Sequence, residues 1–285
     1  MSNLRLKMGK PVKELSIGAV AVVLFITFCI SPASGIVWGV LDNGKHPNVG
    51  TILYVWQGQA YQLGSGTLIH EKVFLTAGHV TNYLNRMINL GMITTEDVYV
   101  SFDSDNAFTI STWLHITHVI THPKYSGFPG ASHHRYDIGA LMLSAPVGLV
   151  PANLPALGFL DELKAAGELR GGPKREKFVV VGYGSSLEWP PPQYVPSDGA
   201  RYMAESGYLA KNASWLFMSQ NHAVGNGGTG YGDSGGPTFW NDSNGEEILV
   251  SITSWGDPNL VATGISYRID TAKALAFIFG VIDDF

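Results

Sequence analysis

Gly230-Tyr231-Gly232-Asp233-Ser234-Gly235-Gly236-Pro237 sets one serine among glycines on both sides. A serine that attacks a carbonyl must sit on a cramped turn. The turn exposes its hydroxyl and points backbone N–H groups at the oxyanion that forms. Glycines permit so close an approach because no Cβ stands in the way. A bare Gly-x-Ser-x-Gly is more often a plain turn than a site, but the full eight-residue stretch is far more specific.

Taken alone, Gly232-x-Ser234-x-Gly236 also fits the nucleophile elbow of an α/β-hydrolase, which places its histidine after the serine. The chain has nine histidines and the last is His222, so that reading fails. What remains is the order histidine, aspartate, serine. Leu75-Thr76-Ala77-Gly78-His79-Val80 ends one apolar run, and Arg135-Tyr136-Asp137-Ile138-Gly139-Ala140-Leu141-Met142-Leu143 opens another. A lone histidine in apolar surroundings is usually structural, and a lone aspartate before a strand is usually a turn residue. Three boxes in one order leave little room for coincidence.

These boxes resemble those of the trypsin/chymotrypsin-like serine proteases, closest in texture to the bacterial members without disulfides. Other segments carry the likeness further. Ile36-Val37-Trp38-Gly39 is similar to the family's Ile-Val-Gly-Gly mature terminus, with Trp38 a departure. His122-Pro123-x-Tyr125 resembles the segment before the aspartate, and Val181-Gly182-Tyr183-Gly184 the start of the second barrel. Ser254-Trp255-Gly256 and Gly264-Ile265-Ser266-Tyr267-Arg268 resemble two walls of the primary specificity pocket.

The resemblance implies an all-β fold of two six-stranded antiparallel barrels with a C-terminal helix. It implies a serine endopeptidase with His79, Asp137 and Ser234 as its triad and the backbone N–H groups of Gly232 and Ser234 as its oxyanion hole. Ser254 is expected to support Asp137. Asp233 is expected to pair with the new α-amino group of Ile36. Counting back six residues from Ser234 puts Gly228 at the pocket floor, with Ser254, Trp255, Gly256 and Gly264 lining the slot. No carboxylate occurs between Gly225 and Gly232, which argues against lysine or arginine as the residue before the cut bond (P1). With glycines at the walls, a large apolar or aromatic P1 side chain is expected, an acidic one being the alternative, since enzymes of that preference also lack the aspartate. Two rivals stay open: an inactive, protease-like binding protein and an esterase on the same scaffold.

Composition and charge agree with export. Arg5, Lys7, Lys10 and Lys13 precede the apolar run from Leu15 to Ile30, and Ala33 and Gly35 stand at −3 and −1 of a cut before Ile36. Residues 1–35 therefore read as a signal peptide and 36–285 as the peptidase domain, secreted to the periplasm or the outside. The run is a little short for a membrane span, which needs roughly 20 residues; a membrane tether through an uncleaved anchor is the alternative. Losing this segment removes four basic side chains and one acidic one from a chain whose net charge is already −5. Such a protein should not favour nucleic acid or anionic lipid. Its membrane contact is expected to be transient, its partner a protein or peptide substrate, and its state monomeric. The one cysteine, Cys29, lies in the apolar run, so the mature protein must stand on its core without disulfides.

Thirty-four glycines, 15 prolines and only 14% charged residues suit a β-rich protein with tight turns. Short apolar runs predict strands over 51–56, 66–69, 72–76, 98–102, 138–143, 177–181 and 247–252. Barrel one is expected over about 36–150 and barrel two over about 175–270. Residues 144–175 read as a linker, and 185–200, with Pro190-Pro191-Pro192, as a surface loop. Helices are expected at 77–89 and 271–280, the latter capped by Asp270 or Thr271. His115, His118, His122, His133 and His134 match no metal spacing, so neither a metal nor a cofactor is expected.

Overall fold

The computed structural model describes residues 36–126, 136–188 and 193–284. Residues 1–35, expected to be a signal peptide, lie outside the described residues, as do Arg135, His133, His134 and the three consecutive prolines.

Short apolar strands joined by tight turns close into a first antiparallel barrel. Its strands are β2 (Val49–Trp56), β3 (Gln59–His70), β4 (Val73–Thr76), β5 (Val98–Ser101), β6 (Leu114–Thr121) and β7 (Gly139–Leu143), paired in the order β2-β3-β4-β7-β6-β5. The β2–β3 hairpin turns on Gln57 and Gly58, both with positive φ, the handedness that matches strand twist. Ile52, Leu68, Phe74, Val100 and Leu141 fill the interior. Helix α1 (Gly78–Asn89) follows β4 and lays Val80, Leu84 and Met87, spaced at helical repeat, on that core.

The second barrel comprises β8 (Lys177–Gly182), β11 (Tyr202–Lys211), β12 (Trp215–Ser219), β13 (Pro237–Asn241), β14 (Glu247–Gly256) and β15 (Thr263–Arg268). It closes because β8 pairs with both β13 and β11. The N-terminal strand β1 (Val40–Leu41) adds to β11, with Val40 opposite Met203. A separate hairpin joins β9 (Ser186–Glu188) to β10 (Gln193–Val195), within the stretch expected to be a loop. The two barrels share one apolar core. Val49, Leu75, Ile138 and Ala140 from the first pack with Val181, Phe239, Ile252 and Tyr267 from the second.

Two helices complete the fold. Helix α2 (Phe159–Ala165) lies inside the segment expected to be a bare linker. Helix α3 (Ala272–Asp284) buries Ala274, Leu275, Ile278 and Val281, and all of these but Leu275 join the shared core. Of the two candidate caps, Thr271 serves: its hydroxyl accepts from the Ala274 N–H at 3.3 Å. Among the described residues no helix is long and apolar enough to cross a membrane.

In place of disulfides a buried polar cluster ties the N-terminal segment to both barrels. Arg201 on the approach to β11 is fully buried and donates to Asp42 at 2.8 Å, to the Val49 and Phe102 carbonyls and to the Tyr183 hydroxyl. His46 bonds Asp42 through Nδ1 and reaches Glu247 on β14 through Nε2 at 3.1 Å. Burial works against the charged imidazole, but the two carboxylates win and raise its pKa to about 9. Asp42 moves the other way, to about 2, because His46 and Arg201 outweigh its desolvation.

Candidate active site

His79 is the second residue of α1, and the helix begins there because Gly78 can press against the chain just ahead of β7. A Cβ on Gly78 would lie 2.9 Å from the Ile138 nitrogen. That contact brings His79 to Asp137. The His79 backbone N–H donates to Asp137 Oδ1 at 2.7 Å, and ring Nδ1 lies 3.1 and 3.0 Å from the two carboxylate oxygens. From the second barrel, Ser254 on β14 donates its hydroxyl to Asp137 Oδ2. Asp137 is fully buried. Burial alone would raise its pKa, but the facing imidazole and these hydrogen bonds outweigh it and hold the carboxyl below its ordinary range.

Ser234 sits on the loop leading into β13, half-buried, as is His79. The loop packs against the strand that precedes α1. Gly235 takes φ +82, and a Cβ there would meet Thr76 Oγ1 at 1.9 Å and the Ala77 nitrogen at 2.6 Å. Its N–H donates to the carbonyl of Thr253, the neighbour of Ser254. Thus the residue that follows the nucleophile touches both the segment that carries His79 and the one that supports Asp137. Among the described residues no hydrogen bond joins the Ser234 hydroxyl to His79. Such bonds are often long without substrate and tighten in the complex.

The N–H groups of Gly232 and Ser234 find no acceptor among the described residues, while both carbonyls are engaged. Ser65 on β3 donates its N–H to the Ser234 carbonyl at 2.9 Å and its hydroxyl to the Gly232 carbonyl at 3.2 Å. Nothing in the motif reading singles out Ser65. The signal was Gly64-Ser65-Gly66, glycines inside a strand, which mark a close approach by another backbone; a Cβ on Gly64 would sit 2.8 Å from the Ser234 carbonyl oxygen.

Asp233 is buried, and its two oxygens accept from the N–H groups of Gly184 and Gly230 at 2.7 Å each. Burial pushes its pKa well above the carboxylate range, against the pull of those two donors. Gly182 and Gly184 make room for it, since a Cβ on either would fall within 3 Å of its carboxyl. Ile36 and Val37 are buried too, and Val37 exchanges both backbone hydrogen bonds with Gly228. Trp38 carries φ +58, a conformation that costs a tryptophan and not the glycine found there in the resembling motif. Its ring stacks on His222, with centroids 4.2 Å apart.

Gly228, Gly256 and Gly264 do converge, but the slot between them is not open. The side chain of Gln220, which the motif reading missed, lies against all three. Trp255 is half-buried beside them and packs on the shared core. The surrounding loop is fastened by Ser206 to the Gly227 carbonyl at 2.6 Å and by Asn226 to the Ser219 hydroxyl at 3.0 Å. Of the histidine-rich stretch, His115 and His118 lie on β6, and His122 is buried and stacked on Tyr136. Among the described residues no three potential metal ligands gather.

The family model described as Trypsin matches residues 43–278. No curated protein matches the chain.

Proposed function

The chain belongs to the trypsin family of serine proteases, and from that premise we propose that it is a secreted serine endopeptidase working through His79, Asp137 and Ser234. One observation carries the reading: a buried carboxylate gripped by His79 on one side and Ser254 on the other. Such a carboxylate serves to orient an imidazole and to stabilise it when it takes a proton.

In this mechanism the Ser234 oxygen attacks the carbonyl carbon of the scissile bond while His79 Nε2 removes its proton. The carbonyl oxygen becomes an oxyanion, for which the uncommitted N–H groups of Gly232 and Ser234 are the donors. His79 then passes the proton to the departing amine, leaving an acyl-enzyme that water hydrolyses by the reverse sequence. Asp137 stays ionised throughout. Removing one oxyanion donor typically lowers the rate on the order of 100–1,000-fold.

Export would proceed by cleavage after Gly35, which frees the α-amino group of Ile36. Val37 is already paired with Gly228, two residues from the N–H that Asp233 holds. A new ammonium there would find a buried carboxylate with no counter-charge among the described residues, and the pair would favour the ionised form. N-terminal sequencing of the exported protein tests this, and a mature chain beginning elsewhere would overturn it.

Labelling with a fluorophosphonate probe tests the function itself. Ser234 of the mature protein should be modified, and peptide substrates should be cleaved faster than matched esters relative to buffer. Absence of labelling would mark an inactive binding protein, and turnover of esters alone would mark an esterase.

A further inference from the structure

Gln220 follows β12, its N–H tied to the Ala262 carbonyl at 2.9 Å, and its side chain is 0% exposed. A Cβ placed on Gly228 would lie 2.2 Å from both Cγ and Nε2 of Gln220 and 2.5 Å from Cδ. One on Gly264 would lie 3.4 Å from Cδ, and one on Gly256 3.7 Å from Oε1. The amide therefore occupies the space that three glycines leave. It stands where a side chain at position 228 would otherwise project.

Chemistry orients the amide. The Thr229 carbonyl can only accept, and Gln220 Nε2 donates to it at 2.7 Å. Oε1 is thereby turned away from Thr229, buried and without a hydrogen-bond partner among the described residues. A buried acceptor with no donor is destabilising until a donor arrives. The two sides of the slot are also linked: the Tyr231 hydroxyl, three residues before Ser234, donates to the Pro258 carbonyl, two residues past Gly256, at 3.2 Å.

We propose that Gln220 is the specificity-determining residue of this pocket and that it selects an uncharged P1 side chain ending in an N–H donor, glutamine being the best match. The inference rests on the reading of Ser234 as the nucleophile. A carboxylate at P1 would face Oε1 with lone pairs against lone pairs. Turning the amide to offer Nε2 would set Oε1 against the Thr229 carbonyl and lose that bond. A lysine or arginine would bring a cation to an end of the pocket that offers an amide in place of a carboxylate. An aromatic ring needs the volume that the amide fills. A P1 glutamine amide supplies the missing donor and carries no charge.

The test is a series of peptides identical except at P1 (Gln, Glu, Leu, Phe, Lys), with the cut bond located by mass spectrometry and competent enzyme counted by fluorophosphonate titration. kcat/KM for Gln should exceed that for Glu and Lys on the order of 100-fold and for Phe on the order of tenfold. Gln220→Glu should make Lys and Arg the preferred residues, and Gln220→Ala, which empties the floor, should favour Phe and Leu. A wild-type profile led by Phe or Lys overturns the proposal, and so does an unchanged order in both variants. If the variants do not fold, the titration reveals it and the wild-type profile decides. Should the wild type neither label nor cleave, the protease reading fails and this inference with it. Labelling and cleavage with indifference to glutamine sink this inference alone.

Discussion

Ser254 on β14 donates to Asp137, the residue just ahead of β7, so a single hydrogen bond spans the two barrels directly behind His79. The carboxylate that orients the imidazole is thus held by the opposite barrel. Burial pushes that carboxyl toward protonation, and Ser254 is one of the groups pushing back.

Ser254→Ala should therefore raise the Asp137 pKa toward its ordinary value and loosen the imidazole. A hydrogen bond to a charged group contributes about 1.5–3 kcal/mol. We expect kcat to fall at least about tenfold, the equivalent of roughly 1.4 kcal/mol, with KM little changed. The loss should deepen as pH is lowered, because a depressed carboxyl that loses a stabilising donor protonates sooner. Steady-state kinetics across pH 5–8 check this.

Asp137→Asn keeps the shape but cannot stabilise an imidazolium, and its amide favours the wrong tautomer of His79. kcat should drop about 10,000-fold at neutral pH. Circular dichroism and thermal melting should show an intact fold.

Gly235→Ala should abolish activity. Its φ of +82 strains any Cβ, and that Cβ would fall 1.9 Å from Thr76 Oγ1. Moving Thr76 disturbs the chain that carries His79 only three residues later. Overpacking of this kind costs about 1–3 kcal/mol, so the melting temperature should fall together with the loss of fluorophosphonate labelling.

The cluster around His46 gives stability a pH dependence whose sign follows from the two shifts. His46 binds its proton more tightly when folded, with a pKa of about 9 against an ordinary 6.5. Its contribution is complete below 6.5 and is lost as pH rises through 9. Asp42, lowered to about 2 from 3.8, contributes above 3.8 and loses its contribution as pH falls through 2. The melting temperature should be highest near pH 4–6.5 as far as these two groups are concerned, and should decline toward pH 10. In His46→Gln the alkaline decline should flatten, with a loss of about 3–5 kcal/mol at pH 6 because Asp42 and Glu247 lose their shared partner. Denaturant melts at pH 6, 8 and 10 measure both effects.

The fold was legible where the deciding residues are neighbours in the chain. The boxes around His79, Asp137 and Ser234 are contiguous, and their order excluded the rival fold. The strands with uninterrupted apolar runs, such as Leu141 within β7, could be read directly. What stayed hidden depends on residues far apart. Helix α2 begins after Gly158 with no side chain of its own capping it. Its Leu160 N–H is satisfied by Asp270, 110 residues away. The same distance left Asp270 and Thr271 as alternative caps of the last helix, where Thr271 is the cap. In β6, His115 and His118 interrupt the apolar pattern because they point outward. Gln220 was silent because its meaning comes from where Gly228, Gly256 and Gly264 lie in space, and Ser65 because it serves the Gly232 carbonyl, 167 residues away.

Strand β1 pairs with β11, and Asp42 with Arg201, although these partners stand at the two ends of a long stretch of chain. During synthesis the first of them leaves the ribosome well before the second exists. Val40, Leu41 and Asp42 then wait without these partners while more than half of the chain is made. Completion of the fold is thus deferred until the second barrel has begun to form.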